Sequence, residues 1–409
     1  MGLVIMKFGG SSMSDAGRIK HVAKKIVAKQ KKGNKVVAVV SAPGNTTDDL
    51  IKMADGISSN PPEREMDVLL ATGEMISISL LAMAIDVMGK KVVSMTGPQA
   101  GILANEDYTR ARIKKINPQK IKEQLARDNI VIVAGFQALN PNGDITTLGR
   151  GGSDLTAVAI AAALKSDLCE IYSDVEGVYT TDPRVVKDAR KIDYISYDEM
   201  LEMAASGSQV LQSRSVEVAK KFGVEIHSRS TFSENQGTII TSKEKIKGKE
   251  MESFLISGIS FDKNQAKFAV TAPSLDTADI VREIYGRCAE IGVNIDMVNQ
   301  SAVSDKKSVI SFIVGGDDVK KMRKELDKIV LDYKASVSCA EHFAKVSIIG
   351  IGVKSHGSVA ARVLEILRKN DISIDMISAS EIKISCIINE IDMLKAVEEL
   401  HKGFELSKK

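Results

Sequence analysis

Short apolar runs alternate with helix-like stretches through the first part of the chain. LVIMKF (Leu3 to Phe8) ends in a glycine pair; Asp15 then precedes a segment whose Ile19, Val22, Ala23, Ile26 and Val27 share one face at helical spacing. KVVAVVSAPGNTTDD repeats the scheme, with an apolar run at Val36 to Val40 followed by a Ser/Thr/Gly/Asp loop. NIVIVAGF (Asn129 to Phe136) is a third instance and LCEIYSDVEGVYTTDP a fourth, with helical patterns at Met66 to Met88 and Leu155 to Leu164 between them. Continuous apolar strands alternating with helices predict an α/β domain, a three-layer αβα arrangement around a mostly parallel sheet. The polar loops fall after the strand ends, where open α/β sheets bind ligands.

The pattern changes after TSKEKIKGKE (Thr241 to Glu250), which has almost no apolar content and reads as a linker. Beyond it the chain repeats itself: AKFAVTAPSLDTADIVREIYGRCAEIGVNIDM from Ala266 parallels AKVSIIGIGVKSHGSVAARVLEILRKNDISIDM from Ala344. Each copy predicts a small α+β βαββαβ module with one sheet face needing cover, so the two copies are expected to pack together or to dimerise. The predicted organisation is a catalytic domain at 1–240, a linker at 241–253, and modules at 254–332 and 333–409. A duplicated module behind an α/β domain suggests a controller attached to an engine; a duplication serving only dimerisation is the plainer alternative.

At 409 residues, with 44% hydrophobic and 27% charged residues, the chain is long enough for two or three well-buried domains. Its 56 basic and 53 acidic side chains nearly cancel, giving +3, and it has no Trp, so neither a nucleic-acid nor a membrane partner is expected. The four cysteines (Cys169, Cys288, Cys339, Cys386) are far apart and form no CxxC pair, which speaks against a disulfide framework or a zinc site. The N-terminus carries no signal-peptide pattern, and a soluble cytoplasmic protein is the expectation.

KFGGSS is not a Walker loop, because its lysine precedes the glycines. Gly9 and Gly10 would let backbone amides approach phosphate oxygens, Lys7 would supply charge and Ser11 and Ser12 further donors, although Gly-Gly-Ser after a strand is also an ordinary turn. In TLGRGGSDLTAV, Arg150 lies between glycines before a helix whose first turn carries Ser153 and Asp154, an anion site made from a helix N-terminus and a guanidinium. Asp154 has a second reading as a partner of the helix dipole. Ser41 and Thr47 follow the second strand, and Glu74 is an isolated acid in an apolar stretch, paired either with a core cation or with a ligand ammonium. An Arg for a carboxylate, a Glu for an ammonium and hydroxyls between them fit a zwitterionic amino acid, and with the phosphate elements they are equipment for phosphoryl transfer.

KFGGSS, SAPGNTTDDL, TGE, TLGRGGSD and YSDVEGVYTTDPR, in this order and followed by two NIDM-type repeats, resemble the aspartate kinases of the amino acid kinase superfamily with tandem ACT domains. The resemblance spans nearly the whole chain. It implies ATP-dependent phosphorylation of the side-chain carboxylate of L-aspartate to 4-phospho-L-aspartate, at the head of the lysine, threonine and methionine branch. By this resemblance Lys7 neutralises the transferring group and Gly9, Gly10 and Ser11 line the phosphates, while Asp154 orients Lys7. Ser41, Thr47, Glu74, Arg150 and Ser153 hold aspartate, with Arg150 on a carboxylate and Glu74 on the ammonium. Ser173, Asp174, Tyr179 and Arg184 hold the nucleotide, with Gln209 at the position where many relatives carry lysine. Mg2+ is expected on the ATP phosphates, without an assigned protein ligand.

The ACT-like repeats imply amino-acid effectors, lysine and/or threonine, with Asp276, Asn294, Asp296 and Gln300 as candidate contacts, and a homodimer through these modules. The Pro-Gly common in ACT effector loops is absent from both copies, LDTADIV and SHGSVAA. The short stretch before TGE resembles the compact aspartokinase subgroup, in which a separate regulatory subunit starts near the position of Met251. A glutamate 5-kinase-like enzyme and a non-catalytic amino-acid sensor are the alternatives; the duplicated tail speaks against the first and the joint presence of Lys7, Arg150 and Asp154 against the second.

Overall fold

The computed structural model describes residues 2–166, 168–208, 210–246, 255–273, 277–304, 307–353 and 357–407. The chain divides into two compact units. One comprises Met1–Tyr179, Lys191–Ala205 and Gln209–Met251; the other comprises Thr180–Arg190, Ser206–Ser208 and Glu252–Lys409.

The first unit is built on an eight-stranded sheet in the order Tyr194–Ser196, Thr238–Thr241, Glu225–Ser230, Leu168–Ser173, Leu3–Phe8, Lys35–Val40, Ile130–Ala134, Val92–Met95. All neighbouring pairs are parallel except Glu225–Ser230 with Thr238–Thr241, as the apolar runs predicted. The C-terminal ends of Leu3–Phe8, Lys35–Val40, Ile130–Ala134 and Leu168–Ser173 therefore lie side by side along one edge. The five apolar positions expected on the first helix, Ala16–Lys31, are all buried, and Asp15 caps it by accepting from the Arg18 amide at 2.9 Å.

Alternation along the first strand decides where its lysine goes. Met6 and Phe8 enter a core cluster with the helices Ala16–Lys31 and Glu63–Asp86, so Lys7 shares the opposite face with Ile5. That face carries the helix Gly152–Leu164, which is buried through most of its length, consistent with its Ala-rich sequence. The helix Glu63–Asp86 is long and apolar enough to cross a membrane, but Ile78, Leu81 and Ile85 belong to this core. Four short strands, Ile113–Ile116, Ile102–Ala104, Gln137–Leu139 and Ile145–Thr147, form a second, smaller sheet in that order.

The second unit contains both repeats in one six-stranded sheet, ordered Asp296–Ser304, Lys307–Gly315, Leu255–Pro273, Ser336–Ile351, Lys383–Asn389, Ile374–Ala379. Its two central strands serve both modules. Residues 265–271 pair with 336–343, whereas 255–262 pair with 345–351, with a register shift between Asp262 and Gln265. The closing strand of the second module thus comes from the residues that precede the first. Each module has its own core, one around Phe268, Phe312 and Leu326 and the other around Val346, Val363 and Leu400.

Two pieces of the N-terminal part of the sequence belong to this unit. Val185 and Val186 pack against the second module's core, the Ile259 amide donates to the Thr180 carbonyl at 2.7 Å, and the buried Thr180 hydroxyl meets His401 Nε2 at 2.9 Å. Gly207 has φ of 109°, and a Cβ there would stand 2.0 Å from the Phe261 carbonyl oxygen, so only glycine fits that crossing.

Candidate active site

Lys7 and Asp154 meet beneath the sheet edge. Lys7 Nζ lies 2.6 Å from Asp154 Oδ1, and the two side chains retain only 11% and 10% of their exposure. A lysine on the helix-facing side of a strand end and an aspartate in the first turn of the helix covering that side are thereby joined. Dipole stabilisation and ion pairing both favour the Asp154 carboxylate at that helix start.

The two glycines after Lys7 turn out to differ in their reasons. The Gly9 amide donates to the Tyr172 carbonyl at 3.1 Å, so it stitches the turn to the neighbouring strand. A Cβ on Gly9 would lie 3.5 Å from Lys7 Nζ, an ordinary contact, so sterics alone do not demand glycine there. At Gly10 a Cβ would meet the carbonyl oxygens of Ala42 and Gly44 at 2.9 and 3.0 Å, and the Gly44 amide donates to the Gly10 carbonyl at 2.9 Å. Gly10 and Ser11 begin the short turn of 3-10 helix Gly10–Met13, whose first amides have no acceptor within the turn. Ser12 is turned inward, its hydroxyl 2.7 Å from that of Thr231.

Ser41 and Thr47 flank the loop that Gly10 touches. Ser41 ends the second strand, its amide donating to the Phe8 carbonyl at 3.1 Å, and Thr47 lies in the first turn of the helix Thr46–Asp55. Glu74 comes to the same loop from the helix Glu63–Asp86: its Oε1 accepts the Ala42 amide at 3.0 Å. Gly73 makes that approach possible, since a Cβ there would be 2.7 Å from Ala42 Cβ. Only 2% of Glu74 is exposed and its Oε2 is buried without a hydrogen-bond partner among the described residues. Burial pushes its carboxyl up to about 7, against the pull of the Ala42 amide. The core cation that would have explained Glu74 as a structural acid is absent from the partners the structure gives it.

Arg150 is exposed on the loop between Gly149 and Gly151, both in the left-handed region at φ of 76° and 73°. Ser153 is buried beside Gly135, where a Cβ would meet Ser153 Oγ at 2.6 Å. Ser173 ends the strand next to Lys7's own, accepting the Val175 amide at 3.4 Å on its hydroxyl; Asp174 is exposed just beyond, and the half-buried Tyr179 hydroxyl donates to Glu176 at 3.5 Å. Arg184 grips Asp182 through Nε and Nη2 at 3.0 and 2.6 Å, on the segment that belongs to the second unit. Gln209 and Asp276 lie outside the described residues. Asn294 and Gln300 are exposed, and Asp296 accepts Lys345 Nζ at 2.8 Å and its neighbour Met297's amide at 2.8 Å.

Asp67 carries no local signal that would have marked it. It sits two turns before Glu74, has no exposure, and accepts from Thr147 Oγ1 at 2.6 Å, Thr146 Oγ1 at 3.0 Å and the Thr109 amide at 2.9 Å. The first unit thus offers a buried cation held by a carboxylate, a carboxylate with a spare oxygen and an exposed guanidinium, carried by a strand end, two helices and the loop before one of them.

The amino acid kinase family model matches residues 2–229, and an ACT domain model matches residues 346–404. An aspartokinase of Bacillus sp. (strain MGA3) is 45% identical, the match covering 100% of this chain and 98% of that protein. The aspartokinase of Geobacillus stearothermophilus is 47% identical at the same coverages, 100% and 98%. Among solved structures, E. coli aspartokinase III in complex with aspartate and ADP has the same fold, with a TM-score of 0.83 at 22% identity, covering 98% of this chain and 99% of that one.

Proposed function

The chain belongs to the aspartokinases, amino acid kinases followed by ACT domains, and from that membership and the site's geometry we propose how its residues divide the work. It is an aspartate kinase. A side-chain carboxylate oxygen of L-aspartate attacks the γ-phosphorus of ATP; the new O–P bond forms as the bond to the β-phosphate oxygen breaks, giving 4-phospho-L-aspartate and ADP. Such transfers need positioning and charge neutralisation more than covalent help from the protein.

Lys7 meets the charge on the transferring phosphoryl group, and Asp154 holds its ammonium in place. Arg150 takes the α-carboxylate and Glu74 the ammonium, with Ser41, Thr47 and Ser153 between them. Glu74 is the observation that carries this reading: a carboxylate buried with one unpartnered oxygen is suited to a ligand cation. Gly10 and Ser11 line the phosphates, and Ser173, Asp174 and Tyr179 serve the nucleotide. Mg2+ would arrive on the ATP phosphates and add to their neutralisation; among the described residues no trio of His, Cys, Asp or Glu converges to hold an ion.

Incubation with ATP, Mg2+ and L-aspartate should yield an acyl phosphate that hydroxylamine traps as a hydroxamate. Trapping with glutamate in place of aspartate would overturn the substrate, and no trapping with either would favour a sensor.

The ACT unit is proposed to make this step subject to feedback by lysine, threonine or both, with Asn294, Asp296 and Gln300 toward the effector and with dimerisation through the same unit. An effector would act by binding one arrangement of the unit better than another. Assays with each amino acid and the pair check this; no inhibition by any combination would leave the modules a dimerisation role.

A further inference from the structure

We propose that Arg214 and Gln212 are positioning residues for aspartate, fixing the backbone on either side of Arg150 so that its guanidinium meets the substrate carboxylate from one direction. The proposal rests on Arg150 binding that carboxylate. Arg214 sends Nη1 to the Leu148 carbonyl at 2.6 Å and Nη2 to the Ala111 carbonyl at 2.8 Å. Gln212, one residue before the helix Ser213–Phe222, sends Nε2 to the carbonyl of Arg150 itself at 2.6 Å.

The Gly-Arg-Gly loop needs such help. Its two glycines adopt left-handed conformations and restrict the chain little, so a loop of this composition samples many directions for its arginine. Before the loop, the strand Ile145–Thr147 is pinned by Asp67 through Thr146 and Thr147. Arg214 then holds the next carbonyl, Leu148, and Gln212 the one two residues on. A Cβ on Gly151 would strike the Gln212 side chain at 2.8 Å, so that amide is packed against the loop as well as bonded to it.

The chemistry of Arg214 points the same way. A half-buried guanidinium usually meets a carboxylate, yet its two terminal nitrogens go to neutral backbone carbonyls, and burial lowers its proton affinity. A rigid two-pronged donor is well matched to two carbonyls brought together from separate segments, and a lysine could serve only one at a time. The desolvated charge is a cost that a role in loop geometry would justify.

The test is steady-state kinetics on Arg214→Met, Arg214→Lys, Gln212→Ala and Arg150→Lys, with thermal unfolding alongside. Arg214→Met should raise KM for aspartate at least tenfold while KM for ATP stays within about twofold and kcat within about threefold. Arg214→Lys should recover part of that loss, and Gln212→Ala should raise KM for aspartate about threefold. A purely structural role would lower Tm and move all three parameters together, which would overturn the proposal, as would an unchanged KM for aspartate in folded Arg214→Met. If Arg214→Met does not fold, Arg214→Lys and Gln212→Ala decide by the same split. If Arg150→Lys raises KM for aspartate while the Arg214 and Gln212 variants do not, the clamp is wrong and the carboxylate site stands; if Arg150→Lys leaves it unchanged, the carboxylate site falls and the clamp with it.

Discussion

Lys7 Nζ and Asp154 Oδ1 stand 2.6 Å apart although 146 residues of chain separate them, and each is the other's compensation for being almost dry. Removing the cation should therefore have two readouts. Lys7→Ala is expected to lower kcat by about two to three orders of magnitude, the scale of losing a preorganised charge at the reacting group. It also leaves Asp154 nearly buried beside nothing, so unfolding should show a loss of about 3 kcal/mol. Retained turnover in a folded Lys7→Ala protein would remove Lys7 from the chemistry.

The proposed role of Glu74 on the substrate ammonium predicts that aspartate binding depends on pH. Burial pushes its carboxyl up to about 7, well above the value of 4.5 for an exposed glutamate. The folded chain binds a proton there between about pH 4.5 and 7 that the unfolded chain releases, so this group's contribution to stability falls as pH rises through that window. Binding of an ammonium needs the ionised form. Hence kcat/KM for aspartate should climb toward pH 8 with an apparent pKa near 7, and in Glu74→Gln that limb should vanish with KM raised. A flat wild-type profile between pH 6 and 8 would count against the ammonium site.

Gly135 offers a steric test of the serine in that site. A Cβ there would lie 2.6 Å from Ser153 Oγ and 2.9 Å from Ser153 Cα, and the backbone atom cannot swing away. Gly135→Ala should cost about 1–3 kcal/mol by denaturant unfolding and weaken aspartate binding by displacing the start of the helix Gly152–Leu164. Wild-type stability in that variant would show that the helix start yields readily.

In the second unit, lysines of the two repeats answer the aspartates of the opposite NIDM-type strands: Lys345 pairs with Asp296 at 2.8 Å and Lys267 with Asp375 at 2.6 Å. The two pairs are not equally dry, for the Lys345 side chain is 5% exposed and that of Lys267 24%. Asp296→Ala should therefore destabilise more than Asp375→Ala, although Asp296 is itself 45% exposed and Lys345 keeps the Asp262 carboxylate nearby. Asp375→Ala should fall nearer the range of exposed pairs, about 1 kcal/mol or below. Equal effects of Asp296→Ala and Asp375→Ala in thermal melts would contradict the burial argument.

Much of this was legible in the chain because it is carried by local pattern. The parallel strands announce themselves as apolar runs, Asp15 caps where it was expected, and Lys7, Glu74 and Asp154 stood out as charges beside segments that had to be buried. What stayed hidden depends on partners far along the chain. The three-residue strands around Ile102–Ala104 and Ile145–Thr147 are too short to show a period. Nothing in Leu255–Asp262 says that it will pair with Lys345–Ile351 and not with its own repeat. Asp67 and Arg214 look like ordinary surface charges until the carbonyls and hydroxyls they serve are placed around them. The sequence marks Gly10 as permissive toward phosphate, and its neighbours at Ala42 and Gly44 give it a second reason of plain contact.

The segment Thr180–Arg190 gives the two units a topology that a linker map does not convey. The chain passes into the second unit at Thr180, returns at Lys191, visits it again at Ser206–Ser208, and leaves for good only after Met251. A cut in the chain after Lys245 would therefore sever one of several passages, and the N-terminal fragment would still own Val185 and Val186, which pack against the second module's core, and Thr180, which bonds to His401. The two fragments should co-elute on gel filtration until denaturant is added. A chain begun at Met251 and made alone would lack that lacing, and should be less stable than the same residues in the nicked full-length protein.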